Sequence, residues 1–158
     1  MPSITEIDVS TRAAVDAIIR DEWSGPFIVT LGNLTDTSQN PGFVCTENGI
    51  VKGFITYMLR GAECEITVLT VPDEGRGIGT KLIERVINIA KATGCTRVWL
   101  VTTNDNTHAI RFYQKRGFSL AAVHINSLDA ARKLKPGIPP VGIDGIPLRH
   151  EFEFEIML

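Results

Sequence analysis

The sequence predicts an α/β fold, with a mixed, mostly antiparallel sheet flanked by helices. Three observations lead there. Two strand-like runs at 43–46 and 50–59 are joined by Glu47-Asn48-Gly49, and Asn-Gly favours the left-handed backbone of a tight hairpin. A third run at 63–71 follows Arg60-Gly61-Ala62, which completes an antiparallel meander. The chain then turns through a glycine-rich stretch into an amphipathic helix at 77–93 and an apolar strand at 97–102. A strand–helix–strand unit of that length implies a right-handed crossover and a parallel pair.

Composition bounds the rest. A chain of 158 residues at 44% hydrophobic composition suits one domain, 1–158, with a proper core. A net charge of −2 offers no basic excess for nucleic acid and no polybasic patch for a membrane. No apolar run is long enough to span a bilayer, and Met1 to Glu6 lack a signal pattern. Cys45, Cys64 and Cys95 are odd in number and free of any CxxC spacing, which suits buried thiols in a reducing compartment better than disulfides or zinc. The expected location is cytoplasmic.

Taken in order, residues 4–9 form a short strand, and Ser10 caps a helix with Ala14, Val15, Ile18, Ile19 and Trp23 on one face. Gly25-Pro26 stops that helix before a strand at 27–31, and the polar stretch 32–42 reads as a loop. On the strand at 63–71, strict alternation puts Cys64, Ile66 and Val68 on one face and Glu65, Thr67, Leu69 and Val71 on the other. Pro72 ends its pairing. The following helix carries Ile78, Leu82, Ile83, Val86, Ile87 and Ala90 as one stripe, with Gly94 as its C-terminal stop. Asn104-Asp-Asn-Thr offers caps for a helix through Tyr113 that Gly117 ends. A strand at 118–125 and a short helix at 127–134 come next. Residues 135–147 hold four of the eight prolines and form an irregular loop, ordered or mobile. The last strand alternates, with Phe152, Phe154, Ile156 and Leu158 inside and Glu151, Glu153 and Glu155 outside. Trp23, Phe27 and Trp99 read as core, and an open edge beside the last strand leaves room for a homodimer.

The turn Asp73-Glu-Gly75-Arg-Gly77-Ile-Gly79 invites a chemical reading. Glycines leave little bulk around Arg76 and Ile78, and the unpaired N–H groups of a helix start attract anions. Against this stands a turn that uses glycine for geometry alone. Spacing excludes two phosphate loops. Gly79-Thr80-Lys81 has the wrong order for a GxxxxGK[ST] loop, and Thr80 with the absence of a well-placed acid excludes a dinucleotide fingerprint.

Glu74-Gly-Arg-Gly77-Ile-Gly79 resembles the Gln/Arg-x-x-Gly-x-Gly/Ala turn of the GNAT superfamily of N-acetyltransferases. A second block, Asn106-Thr-His-Ala109-Ile-Arg-Phe112-Tyr113-Gln-Lys-Arg-Gly117-Phe118, resembles the family's Asn-x-x-Ala-x-x-Phe-Tyr-x-x-x-Gly-Phe signature. The resemblance covers roughly residues 51–125. Glu74 departs from it, since a carboxylate repels a pyrophosphate, and Arg76 is expected to supply the positive charge instead.

The resemblance implies an acetyl-CoA N-acyltransferase-like fold and an N-acetyltransferase that moves an acetyl group from acetyl-CoA directly to an amine, without a metal. It implies cofactor contacts from the backbone of Leu69, Thr70 and Val71 to the pantetheine, and from Arg76, Gly77, Ile78, Gly79 and Thr80 to the pyrophosphate. Asn106 would add a side-chain contact, with a helix cap as its ordinary role. Tyr113 is the expected acid for the leaving thiolate, and Glu65 the expected base, with Glu63 as its competitor. The acceptor is open: a small amine, an antibiotic, a polyamine or a protein amine. A non-catalytic acetyl-CoA-binding domain, or an acyltransferase with another acyl group or an O-acceptor, are the alternatives. His108, His124 and His150 show no metal or triad spacing, and His108 is expected on an exposed helix face.

Overall fold

The computed structural model describes residues 1–158. The chain forms two compact units, residues 1–26, 36–98 and 158 in the first, and 27–35 and 99–157 in the second. A seven-stranded sheet runs in the order β1-β4-β5-β6-β7-β9-β8, and its pairings β1–β4, β4–β5, β5–β6 and β8–β9 are antiparallel. The strands are β1 (Ser3–Glu6), β4 (Gly42–Glu47), β5 (Ile50–Arg60), β6 (Glu63–Thr70), β7 (Arg97–Thr103), β8 (Ser119–His124) and β9 (Glu151–Met157). A separate hairpin joins β2 (Phe27–Thr30) to β3 (Asn33–Asp36). The helices are α1 (Val9–Trp23), α2 (Ile78–Ala92), α3 (Thr107–Lys115) and α4 (Ser127–Leu134).

In the first unit, α1 begins two residues earlier than a cap at Ser10 predicts. Asp8 is the cap: its carboxylate accepts the N–H groups of Ser10 and Thr11 at 2.9 and 3.1 Å, and Thr11 Oγ1 accepts the Asp8 N–H at 3.0 Å. This is a reciprocal capping box with Thr in the place of Glu or Gln. The expected hairpin at Asn48-Gly49 is present, with φ of 52° and 75° at its two central residues. The stripe of α2 is buried as its periodicity predicts, at Ile78, Leu82, Ile83, Val86 and Ala90. Each large apolar side chain there contributes about 1.5–3 kcal/mol relative to exposure. Cys45, Cys64 and Cys95 are free and buried, and burial pushes the Cys64 thiol up to about 12, so it stays protonated and inert.

The β5–β6 pairing corrects the faces read from strict alternation. Thr56 opposes Val68 and Tyr57 opposes Ile66, so Thr67 is an extra residue in a β-bulge. Opposed residues share a face. Glu65, Val68 and Thr70 therefore project on one side, opposite Met58, Thr56 and Phe54. Cys64, Ile66 and Leu69 project on the other, with Leu59, Tyr57 and Ile55. Helix α1 covers the first side, where the Thr70 hydroxyl donates to Glu22 Oε2 at 3.0 Å. Helix α2 covers the second, with the Arg85 guanidinium 5.0 Å above the ring of Phe43, the residue opposite Ile55.

In the second unit, the polar stretch read as a loop contains β3. Its turn uses Leu31 and Gly32, both left-handed at φ 49° and 78°. That is hairpin geometry without an Asn-Gly signal, so the sequence conceals it. Phe27 is 42% exposed and not core. Leu128, Ala131 and Leu148 form a small cluster under which Val29 and Ile138 pack. The last strand also departs from its expected alternation. Phe154 is buried as expected, but Glu151 is 2% exposed, because the β2–β3 turn closes over it.

Residues 135–147 are an ordered irregular segment. Asp105 Oδ2 accepts the Ile143 N–H at 2.9 Å, and the Asn104 side chain accepts the N–H groups of Arg149 and His150 while donating to Pro147 O. A side chain at Gly142 would put Cβ 2.1 Å from Asp105 Oδ2. Gly142→Ala is expected to cost about 1–3 kcal/mol in urea unfolding, because the buried Asp105 carboxylate must move. Gly137→Ala, with open space around its Cβ, serves as the control and should stay within about 0.5 kcal/mol.

Candidate active site

The glycine turn of the first unit has the geometry of an anion cradle. Gly75 and Gly77 hold φ of 84° and 73°, a left-handed backbone that a Cβ disfavours. Gly77 is the N-cap of α2 and provides no side-chain cap. The first helical bond runs from Lys81 N–H to Gly77 O, at 3.2 Å. The N–H groups of Ile78, Gly79 and Thr80 thus precede the helical ladder, at the positive end of the helix dipole. By contrast, α1 and α3 start on capping side chains, Asp8 and Asn106.

A glycine that sequence reasoning missed lets β6 and α2 meet. A Cβ on Gly53 of β5 would lie 3.1 Å from Thr70 O and 3.2 Å from both Ile78 Cγ2 and Val71 Cγ2. Hydrogen there allows the end of β6 and the first turn of α2 to close on the same point. Glycine inside an otherwise apolar strand was the available signal.

Arg76 does not act as the turn's free cation. Its guanidinium makes a two-pronged pair with Glu47, Nη1 to Oε2 at 3.0 Å and Nη2 to Oε1 at 3.1 Å. This pairing holds the Glu47 carboxyl below its ordinary range. Lys52 is similarly committed to Asp73, at 3.8 Å. Glu74 is exposed, as are Arg76 and Gly77, whereas Ile78 and Gly79 are buried.

The carboxylates beside β6 lie on its α1 side. Glu65 is buried at 6% exposure rather than on a solvated face, while Glu63 is half-buried and paired with Arg97 at 3.3 Å. Glu22, which sequence reasoning passed over, is exposed and meets Thr70 at the end of the strand. Desolvation raises its carboxyl above the ordinary value, partly offset by the Thr70 hydrogen bond. The signal lay in its position three residues after Ile19, on the flank of the buried stripe of α1. Between the strand ends, Thr67 Oγ1 donates to Asn40 Oδ1 at 2.8 Å and lies 2.7 Å from Thr56 Oγ1, so Thr56 is the donor in that second contact.

In the second unit, Asn106 caps α3, its side-chain oxygen accepting the Ala109 N–H at 3.1 Å. The cap uses the amide oxygen and leaves the amide nitrogen's protons to other partners. Tyr113 is buried at 8% exposure, edge-on to Phe112 and Phe118 at 5.3 and 5.5 Å. Burial pushes its phenol well above the ordinary tyrosine value, so it remains a protonated hydrogen-bond donor at neutral pH. His108 is exposed. No group of three or more His, Cys, Asp and Glu side chains gathers to hold a metal ion, and no helix is long and apolar enough to cross a membrane.

Comparison with known proteins adds independent findings. The family model for the Acetyltransferase (GNAT) family matches residues 12–118. The uncharacterized protein YdhI of Bacillus subtilis (strain 168) is 43% identical over 133 residues, 84% of this chain and 83% of YdhI. A Bacillus subtilis acetyltransferase solved in complex with CoA superposes with a TM-score of 0.72 at 17% identity, over 100% of this chain and 99% of that one. The ribosomal-protein-S18-alanine N-acetyltransferase of Escherichia coli gives 0.68 at 19% identity, over 99% and 94%. At such identities the two structures establish the shared fold.

The helix start is testable by strain. Gly77→Ala places a Cβ on a left-handed residue, at a cost of about 1 kcal/mol, and should weaken CoA binding about fivefold by calorimetry. Gly61→Ala carries a comparable left-handed residue, φ 59°, in the β5–β6 turn and should leave CoA affinity unchanged. An equal effect of the two would remove the special role of the α2 start.

Proposed function

The chain belongs to the Acetyltransferase (GNAT) family, and on that premise we propose that it transfers an acetyl group from acetyl-CoA directly to a primary amine of a small molecule or protein. The observation that carries this reading is the uncapped, glycine-flanked start of α2 at the end of β6. In this reading the N–H groups from Arg76 to Thr80 hold the pyrophosphate. The backbone of Leu69, Thr70 and Val71 pairs with the pantetheine as an added strand and polarises the thioester carbonyl. The Asn106 amide supplies a further contact to the cofactor.

Direct transfer asks three things of the protein. An ordinary amine of pKa about 10 is neutral in roughly one molecule per thousand at pH 7, so a base must take its proton. Glu65 is assigned that role, directly or through water, because it shares the α1 side of β6 with Thr70. The amine nitrogen then forms a bond to the carbonyl carbon, and the resulting oxyanion is met by backbone N–H groups. Collapse breaks the carbon–sulfur bond, and the thiolate leaves. Tyr113 is assigned to that sulfur. Its raised phenol makes it a stabilising donor to the thiolate more than a complete proton source.

Calorimetric binding of acetyl-CoA, followed by thiol release across an amine panel, tests the reading. Binding is expected, with turnover on at least one amine. No binding at millimolar acetyl-CoA would sink it, and binding without turnover on any amine would favour a regulatory acetyl-CoA-binding domain. Among active-site variants, Glu65→Gln should lower kcat by about 10²–10⁴ and abolish the acid limb of the pH profile, and Tyr113→Phe should lower kcat by about 10². Glu22→Gln tests the competing carboxylate: loss of the acid limb there, and not in Glu65→Gln, would transfer the base role to Glu22.

A further inference from the structure

Asn40 is a buried polar side chain that the proposed chemistry does not use. It is 4% exposed and lies between the short 3₁₀ turn Thr37–Gln39 and β4. Its main chain is fixed from two sides. The Asn40 N–H donates to Thr37 O at 3.0 Å, and the Asn40 backbone O accepts from Arg12 Nη2 at 2.7 Å. Arg12 belongs to α1, where its Nη1 lies 3.9 Å from Asp16 Oδ1 one turn further on. The Asn40 side chain reaches β6, its Oδ1 accepting the Thr67 hydroxyl at 2.8 Å. The next residue reaches β5: Pro41 O accepts the Tyr57 N–H at 3.0 Å, at the point where the β5–β6 register shifts.

All of these groups lie within the first unit. Thr67 is the residue that the shifted register leaves without a place opposite β5. A bulged residue gives up its position in the ladder, so another contact has to hold it there. The Thr56 hydroxyl, 2.7 Å away, is also within reach of a threonine directly opposite it, so that contact alone does not select the bulge. The bond to Asn40 does, because it comes from a third segment that α1 holds in place. Without the bulge, Asn40 Oδ1 would lose its donor while still buried, which disfavours the even register.

We propose that Asn40 is a positioning residue for acetyl transfer, which acts through the Thr67 hydroxyl to fix the β6 bulge. The inference rests on the proposed reaction, with Glu65 as base and Leu69, Thr70 and Val71 along the pantetheine. One inserted residue decides which side each later side chain and each later N–H faces. With the bulge, Thr70 stands on the side of Glu65. In an even register Leu69 would take that place, and the N–H groups offered to the pantetheine would exchange sides. Asn40 touches neither substrate in this scheme. It sets the geometry in which Glu65 and the end of β6 meet them.

The test measures kcat on the full chain, with an amine that the wild type acetylates, well below the melting temperature. There a modest loss of stability leaves nearly every molecule folded, so it does not lower kcat. Thr67→Val and Asn40→Ala are each expected to lower kcat about 10- to 100-fold. The double variant should lose no more than the more damaging single one, because both act through one hydrogen bond. Thr67→Ser keeps the hydroxyl and Asn40→Asp keeps an acceptor oxygen, so each should restore most of kcat. Thr67→Val is nearly isosteric and carries the comparison if Asn40→Ala folds poorly. Thr93→Val removes a hydroxyl bond to Ile89 O at the far end of α2 and should leave kcat unchanged. Wild-type kcat in Thr67→Val, additive losses in the double variant, or no rescue by Ser and Asp overturns the proposal. A wild type that acetylates no amine defeats the functional reading, and calorimetry then decides the role of Asn40. Thr67→Val should weaken CoA about tenfold and leave ADP, which has the pyrophosphate without the pantetheine, unchanged. Equal effects on the two ligands, or none, overturn it.

Discussion

The single extra residue in β6 determines what the centre of the first unit can do. Without the bulge at Thr67, alternation would set Glu65 with Leu69 and separate it from Thr70. With it, Glu65, Val68 and Thr70 share the α1 side, and Glu22 reaches that side from the helix. The bulge is held by polar side chains. Thr56 donates its hydroxyl to Thr67, and Thr67 in turn donates its own to Asn40 Oδ1. Asn40 is 4% exposed, and its carbonyl accepts from Arg12 at 2.7 Å. A buried network of this kind is stable when its donors and acceptors are matched, and it specifies one register in a strand that could otherwise slip. Placing carboxylates on one side of β6 is thus a consequence of hydroxyl chemistry two residues away.

Most of the scaffold was legible because its signals are local. The Asn48-Gly49 hairpin, the stripe of α2 and the Asn106 cap each follow from a few adjacent residues, and each stands as expected. The misses share a different cause. Thr67 looks like any strand threonine, and only its partners on β5 reveal it as an insertion. The β2–β3 hairpin turns on Leu31-Gly32, where leucine gives no turn signal. Glu151 obeys a clean alternation, and the turn that buries it comes from residues 120 positions away in sequence. Composition and period describe one strand at a time. Register, bulges and long-range cover are properties of pairs of segments.

The Asn104–Asn106 turn shows how little chain is needed to organise a long irregular segment. Asn104 takes the backbone of Arg149 and His150, Asp105 takes Ile143, and Asn106 starts α3. Three neighbouring side chains thereby tie the residues before β9 to the start of the Tyr113 helix. Proline supplies stiffness in that segment and removes donors that would otherwise need partners. Gly142 supplies the space for Asp105. The same segment leads directly into Glu151, so the turn that orders it also sets where that carboxylate begins its strand.

The commitment of Arg76 to Glu47 changes the physics of the proposed anion site. A free arginine would attract a pyrophosphate over a distance and compensate for Glu74. A paired one contributes little net field, and Lys52 is likewise spent on Asp73. What remains is the helix start: N–H groups before the ladder and a dipole equivalent to about half a positive charge at the N-terminus. Such donors act at hydrogen-bond range and fall off within a turn, so they reward fit more than charge. The site would then depend on close approach. Left-handed Gly75 and Gly77 and the missing side chain at Gly53 are the features that would permit it.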